Sequence, residues 1–257
     1  MSLEEVKKSE LNILLYLKEI CDKNDLNYYL HGGTLIGALR HKGFIPWDDD
    51  IDIAMPREDY KKFLEINKSQ STKYKALNFA DNENYYYAFS KLTDIKTYIR
   101  GNNERTEYGV FIDIFPIDNV PKRKIQKLIY FSKAIIYKRI LAHLNEINSK
   151  KDDNLIKNLL RYFVRILNYK KILVHFDRYI QKFPKGKELS TITTGAQWDI
   201  SYNAEWFSQK VMVTFEGHEF PAPEGYDSLL RKYFGNYMVV PEHSKQNNHG
   251  YVYVCKG

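Results

Sequence analysis

The chain has 257 residues, 44% of them hydrophobic and 28% charged, which supports a buried core and excludes a disordered chain. Its two cysteines, Cys21 and Cys255, lie near opposite ends. That excludes a disulfide scaffold and any cysteine-built zinc or iron–sulfur site. The formal charge of +7 is unevenly spread. Residues 122–187 hold 18 basic and 4 acidic side chains, a local +14, and the remainder carries −7. Such a distribution describes one cationic face rather than a coat for nucleic acid, so no nucleic-acid partner is expected. No stretch approaches the ~18 uninterrupted apolar residues of a membrane span. The start, Met1 to Glu5, is acidic and lacks a leader-type apolar run. Together these features predict a soluble, cytoplasmic protein.

In chain order, Ser2 with Glu5 three residues on predicts a capping box opening a helix that runs to about Asp22. Leu11, Leu14, Leu15 and Leu17 lie near one face of it. Asn27 to His31 reads as a short strand broken by Gly32-Gly33, and Thr34 to His41 as a helix stopped by Gly43. Asp50 to Met55 alternates as a strand, with Ile51, Ile53 and Met55 on one side. Pro56 opens a helix reaching about Asn67. Strands are predicted at Tyr85 to Leu92, Thr97 to Arg100, and Gly109 to Phe115, the last ended by Pro116. From Pro121 to about Lys182 the pattern is helical, with breaks near Asn148–Asp153 and Tyr169. A strand from Val211 to Phe215 leads through Pro221 and Pro223 to a last helix, Tyr226 to Phe234, capped by Gly235. This order gives a catalytic α/β core over 1–120, a basic helical lobe over 121–185, and a C-terminal segment, 186–257, completing the core.

The chemistry concentrates in His31 to Tyr60. Gly32, Gly33 and Thr34 join a strand to a helix start, where free backbone N–H groups and the positive dipole end suit a phosphate. A plain helix start with Thr34 as its cap is the competing reading. In Asp50-Ile51-Asp52 the two carboxylates share one face of a strand while Ile51 faces the core. Converging carboxylates repel unless a cation sits between them, and hard oxygen ligands suit Mg²⁺ or Mn²⁺. A solvated acidic turn is the alternative. A calcium loop over Asp48, Asp50 and Asp52 fails because its sixth position is Ile53 and its twelfth is Asp59.

A third carboxylate, Asp113, lies within the apolar run Val110-Phe111-Ile112-Asp113-Ile114-Phe115. Burial without a partner costs on the order of several kcal/mol, so an active-site or metal role is expected there. Asp118, past Pro116, is its rival and reads as a turn residue. His218-Glu219 lacks the second histidine of a zinc hydrolase, and no phosphate-loop run is present.

A glycine turn, then paired aspartates on one strand and a single aspartate on a later one, resembles the nucleotidyltransferase fold shared with polymerase β. The segments HGGTLIGALRHKGFIPWDDDIDIAMPREDY and GVFIDIFPIDNVP (His31 to Tyr60 and Gly109 to Pro121) are similar to the LicD family. Further support comes from Lys91-Leu92-Thr93-Asp94 with Tyr98-Ile99-Arg100, Phe215-Glu216-Gly217, Pro221 to Tyr226, and Tyr233 to Met238. The resemblance implies an α+β fold, a mixed sheet flanked by helices, with a helical middle lobe. It also implies a phosphotransferase that moves phosphocholine or a related alcohol phosphate from a CDP-alcohol such as CDP-choline. The acceptor would be a hydroxyl of a bacterial surface glycan such as teichoic acid, capsule or lipopolysaccharide.

Carried residue by residue, Asp50 and Asp52 would hold Mg²⁺ or Mn²⁺, and Asp113 would complete the metal site or take the acceptor's proton. Gly32, Gly33 and Thr34 would hold phosphate oxygens. Arg40, Lys91 and Arg57 would offset charge on the leaving CMP, and Trp47 belongs to the family's own insertion. A quaternary ammonium calls for aromatic faces, offered by Tyr85-Tyr86-Tyr87, Trp47, Trp198, Tyr202 or Trp206. A metal-dependent glycosyltransferase using a nucleotide sugar and an NMP-transferring nucleotidyltransferase remain the alternatives. Beyond the resemblance, Lys157, Arg161 and Arg165 recur every four residues after Asp153 beside a basic, apolar helix from Ile125 to Ile147. That pattern predicts a peripheral contact with the inner face of a membrane.

Overall fold

A computed structural model describes residues 1–70, 72–85, 87–100, 108–145, 168–193, 201–242 and 250–256. Helix α1 (Leu3–Lys23) opens with the capping box: Ser2 Oγ accepts from the Glu5 amide and Glu5 from the Ser2 amide. Its buried stripe is Val6, Glu10, Ile13, Leu14, Leu17, Ile20 and Cys21, spaced by three and four as an apolar helix face requires. Leu11 and Leu15 lie at the margin of that stripe.

The sheet runs β1 (Tyr29–Leu30), β2 (Asp52–Pro56), β6 (Phe111–Asn119), β4 (Ser90–Asp94), β3 (Tyr74–Leu77). β7 (Glu188–Ser190) pairs with the far end of β6, and β8 (Tyr202–Asn203) pairs with β7. Only β2 and β6 are parallel; the other pairs are antiparallel. β5 (Thr97–Arg100) pairs with β11 (Val252–Cys255), and β9 (Lys210–Phe215) forms a hairpin with β10 (His218–Pro223). Helices α2 (Gly32–Arg40) and α3 (Arg57–Ser69) flank β2. Ile53, Met55, Ile112 and Ile114 point into the main core with α1, whereas Ala54 and Ile117 join Tyr29 on the opposite face. Asp52 and Asp113 belong to that opposite face by the two-residue alternation of a strand.

Strand β6 continues through Pro116 rather than ending there. Asp113 N–H donates to Ile51 O toward β2, so by alternation residue 116 turns its nitrogen the other way. There β4 has stopped, at Ser90 opposite Ile114, and β7 begins only at Asp118. The missing N–H therefore falls where no ladder bond is needed. Asp118 is accordingly a buried strand residue, not a turn. Asp50 precedes β2 rather than lying in it, and Ser90 rather than Tyr85 starts β4.

Beyond the sheet, α4 (Lys124–Asn145) packs on α5 (Tyr169–Gln181) around a separate cluster that includes Tyr130, Phe131, Ala134, Leu173 and Phe176. The last helix, α6 (Tyr226–Phe234), ends at Gly235 with φ of +62°, a left-handed turn that glycine adopts freely. The predicted helix carrying Lys157, Arg161 and Arg165, like Tyr86 and Trp198, lies outside the described residues. Among the described residues, no helix is long and apolar enough to cross a membrane.

Candidate active site

Three neighbouring strands set the site out as a row. Asp52 of β2 stands in register with Asp113 of β6, and Asp113 with Lys91 of β4. The Lys91 ammonium meets Asp113 Oδ1 at 2.8 Å. Lys91 is only 4% exposed and is surrounded by rings: Phe111 at 3.6 Å from the centroid, with Tyr87, Tyr108 and Phe89 between 5.2 and 5.5 Å. A buried ammonium is tolerable there because a carboxylate and four ring faces replace its water.

The next row along the strands is aromatic. Phe115 packs against Phe89 at 4.7 Å and His31 at 6.0 Å. His31 is the cap position of α2 and donates its backbone N–H to Asp52 O. Burial pushes its imidazole down to about 4, so it is neutral at physiological pH.

The glycine turn and the acidic loop close on each other. Gly32 has φ of +52°, and a methyl there would stand 3.0 Å from Asp52 Oδ2. One on Gly33 would stand 2.7 Å from Asp48 Oδ2. Only residues without a Cβ let the start of α2 approach the carboxylates this closely. Thr34 Oγ1 accepts the Asp52 amide at 2.8 Å. Its oxygen thus fixes the first residue of β2, while the hydroxyl keeps its own proton to donate. The Asp52 carboxyl is pushed well above the usual range, first by burial and then by the charges of Asp50, Asp113 and Asp48. Asp48, weighed in the sequence only as part of a rejected calcium loop, here joins the charges around Asp52.

The other expected residues are held differently. Arg40 donates to the carbonyls of Tyr237 (2.7 Å) and Val239 (3.1 Å), tying α2 to the C-terminal segment. Arg57 is packed away from the carboxylate row: it donates to both oxygens of Asp118 and, at 3.0 Å, to Asp177. It therefore struts α3, β6 and α5 together, and it also lines the cleft on this face. Trp47 is half-buried with its ring against His41. Tyr202 meets His31 edge-on and shares a hydrogen bond with Thr191.

Glu10 is a member of this region that sequence reasoning missed; its signal is a glutamate inside the apolar stripe of α1. Burial, then the charges of Asp50 and Asp49, push its carboxyl well above the ordinary 4.5. The folded state therefore keeps a proton that the unfolded chain loses above pH 4.5, so this group makes stability fall as pH rises through that window. Glu10→Gln is expected to raise the melting temperature at pH 8 and to flatten its decline between pH 5 and 9. Parallel curves for variant and wild type would contradict this.

Asp50 and Asp52 are the carboxylates that could take part in holding a magnesium-like ion. Such ions take one or two carboxylates together with substrate phosphates, and the repulsion that raises Asp52 is what a cation relieves. Among the described residues no three acidic, histidine or cysteine side chains are gathered so as to hold a metal by themselves, and Asp113 spends one oxygen on Lys91. A cleft of about 820 Å³ continues along the same face, lined by Tyr29, Ile117 and Phe207, by the amides of Asn119, Gln181 and Gln209, and by charged side chains that include Arg57, Asp59, Lys61 and Lys185. Four residues of extended strand, roughly 13 Å, separate Asp52 from its edge at Pro56.

A glycine turn at a helix start, facing aspartates on adjacent parallel strands of a mixed sheet, defines the class: a nucleotidyltransferase-type fold with an acidic face. The family model for the LicD/FKTN/FKRP nucleotidyltransferase domain matches residues 25–149. Over 97% of its length the chain is 31% identical to the lipopolysaccharide cholinephosphotransferase LicD of Haemophilus influenzae, covering 96% of that protein. A 44-residue stretch, 17% of this chain and 9% of its relative, is 41% identical to the human ribitol 5-phosphate transferase FKRP. The chain belongs to the LicD family, and it is a phosphotransferase.

Proposed function

We propose that the protein transfers a phosphorylated alcohol, phosphocholine or a close analogue, from a CDP-alcohol to a hydroxyl of a cell-surface glycan. The observation that carries this reading is the register of Asp52 with Asp113 on adjacent parallel strands, beside the glycine turn. Asp50 and Asp52 would hold Mg²⁺ or Mn²⁺, which when bound neutralises the donor diphosphate and the charge developing on the leaving group. The first amides of α2, at Gly32 and Gly33, present donors and a positive dipole end to phosphate oxygens. Lys91 supplies a fixed positive charge on the same row.

The acceptor oxygen attacks the distal phosphorus as the bond to the CMP phosphate breaks. Asp113, steadied by Lys91, accepts the hydroxyl proton, a role within reach of an ordinary carboxylate once the nucleophile is positioned. Tyr87 and Phe89 are half-exposed beside Lys91 and give the alcohol an aromatic surface suited to a quaternary ammonium. The amide-edged cleft past Phe115 suits a polyhydroxyl acceptor, whose oxygens need donors and whose ring faces need apolar contact.

The test is turnover of CDP-choline, CDP-ethanolamine, CDP-glycerol and CDP-ribitol after removal of divalent ions. Activity is expected to vanish in chelator and return with Mg²⁺ or Mn²⁺, with one donor preferred. Undiminished turnover in chelator would exclude the cation, and silence toward every donor would exclude the reaction.

A further inference from the structure

Helix α4 has two faces that behave in opposite ways. Tyr130, Phe131 and Ala134 are buried against α5. Ile125, Leu128, Ile129 and Ile136 are 74%, 57%, 45% and 56% exposed. Offsets of three, four and eleven residues place these four on one stripe at about 100° per residue. Exposed Lys124 and Lys133 fall on either side of it by the same geometry, and exposed Lys122 just precedes the helix. At the start of the helix, Lys122, Lys124, Lys127, Lys185 and Lys187 line a hollow of about 710 Å³. Its one acidic lining residue, Glu188, is paired with Lys127 at 2.7 Å. The sequence already marked this helix, with Lys157, Arg161 and Arg165 beyond it, as a peripheral membrane face; the exposed stripe and the lysine hollow are what the fold adds.

Solvent-facing isoleucine and leucine in a row have no value to a site that recognises only charge, and with Lys127 paired to Glu188 the other four lysines around the hollow still repel one another unless an anion joins them. An anionic lipid surface satisfies both. Apolar side chains enter the boundary of the acyl region while ammonium groups meet headgroup phosphates. Lys185 and Gly186 also line the cleft on the catalytic face, so a surface held here lies at the rim of that cleft. We infer that the exposed stripe of α4 and the adjoining lysine hollow form a face that docks on anionic lipid.

The full-length chain is to be sedimented with vesicles of phosphatidylglycerol and phosphatidylcholine, and with vesicles of phosphatidylcholine alone. Binding is expected to the anionic vesicles only and to weaken sharply with salt, since the screening length is about 8 Å at physiological ionic strength. A Lys122→Glu, Lys124→Glu, Lys185→Glu variant is expected to lose about a hundredfold in vesicle affinity, at about fivefold per lysine. An Ile125→Asn, Leu128→Asn, Ile129→Asn variant is expected to lose binding as well, with an unchanged melting temperature. Failure of the wild type to sediment, or equal binding to neutral vesicles, would overturn the inference. Full vesicle binding by the Asn variant would also overturn it and mark the hollow as a general polyanion site, for nucleic acid or a soluble acidic glycan. Asp52→Asn is expected to keep vesicle binding while losing donor turnover, so this inference and the proposed reaction fail separately.

Discussion

Asp52→Asn is expected to reduce donor turnover about a thousandfold, near 4 kcal/mol of barrier, and at the same time to raise the melting temperature of the cation-free protein. The two effects share a cause. Burial and the neighbouring charges of Asp50, Asp113 and Asp48 hold the Asp52 carboxyl well above its ordinary range. Removing its charge relieves that repulsion and removes the attraction for a cation. Asp113→Asn is expected to lose comparable activity but to move stability the other way. Its carboxylate is the partner of an ammonium only 5% exposed, and leaving that charge buried costs about 3 kcal/mol. For a chain of this size that is a fall of about 6–10 °C. Turnover and melting temperature measured on both variants separate the roles. Near-normal turnover in either one would remove it from the mechanism, and equal stability changes would refute the electrostatic account.

Arg57→Met is expected to be the most destabilising change outside the core, at about 3–5 kcal/mol. The guanidinium is 11% exposed and Asp118 only 2%, and Asp177 completes the triad at 3.0 Å. Its removal leaves two carboxylates facing each other without a counter-charge. A residue serving the leaving nucleotide would instead raise the KM for the donor and leave the melting temperature unchanged. Thermal unfolding and donor KM on one preparation decide between the two. A stable variant with a large KM defect would restore Arg57 to the binding machinery.

What could be read from the sequence was local. The alternation of Ile51, Ile53 and Met55 against Asp52 follows from one strand, and the Ser2–Glu5 box from one helix start. Asp113 was conspicuous because a carboxylate in an apolar strand demands a partner. Which partner was not legible, since Lys91 and Asp52 reach it through pairings between strands distant in sequence, and side-chain period says nothing of strand order. Pro116 reads as a strand end locally and is tolerated only because β4 and β7 leave a gap opposite its nitrogen. Arg57 and Asp118 each look like surface or turn residues in isolation; burial makes them a strut. That the Thr34 oxygen also accepts the Asp52 amide was not legible, because it depends on how closely β2 passes the start of α2.

The most direct measurement follows the phosphorus of CDP-choline by ³¹P NMR in the presence of Mg²⁺, wild type against Asp52→Asn. With an added acceptor glycan, wild type is expected to convert CDP-choline into CMP and a phosphocholine ester of the glycan; without acceptor it is expected to release CMP and free phosphocholine slowly, and the variant is expected to do neither. Transfer of the cytidylyl group to the acceptor with free phosphocholine as the leaving group, or cleavage that proceeds unchanged without Asp52, would contradict the assignment.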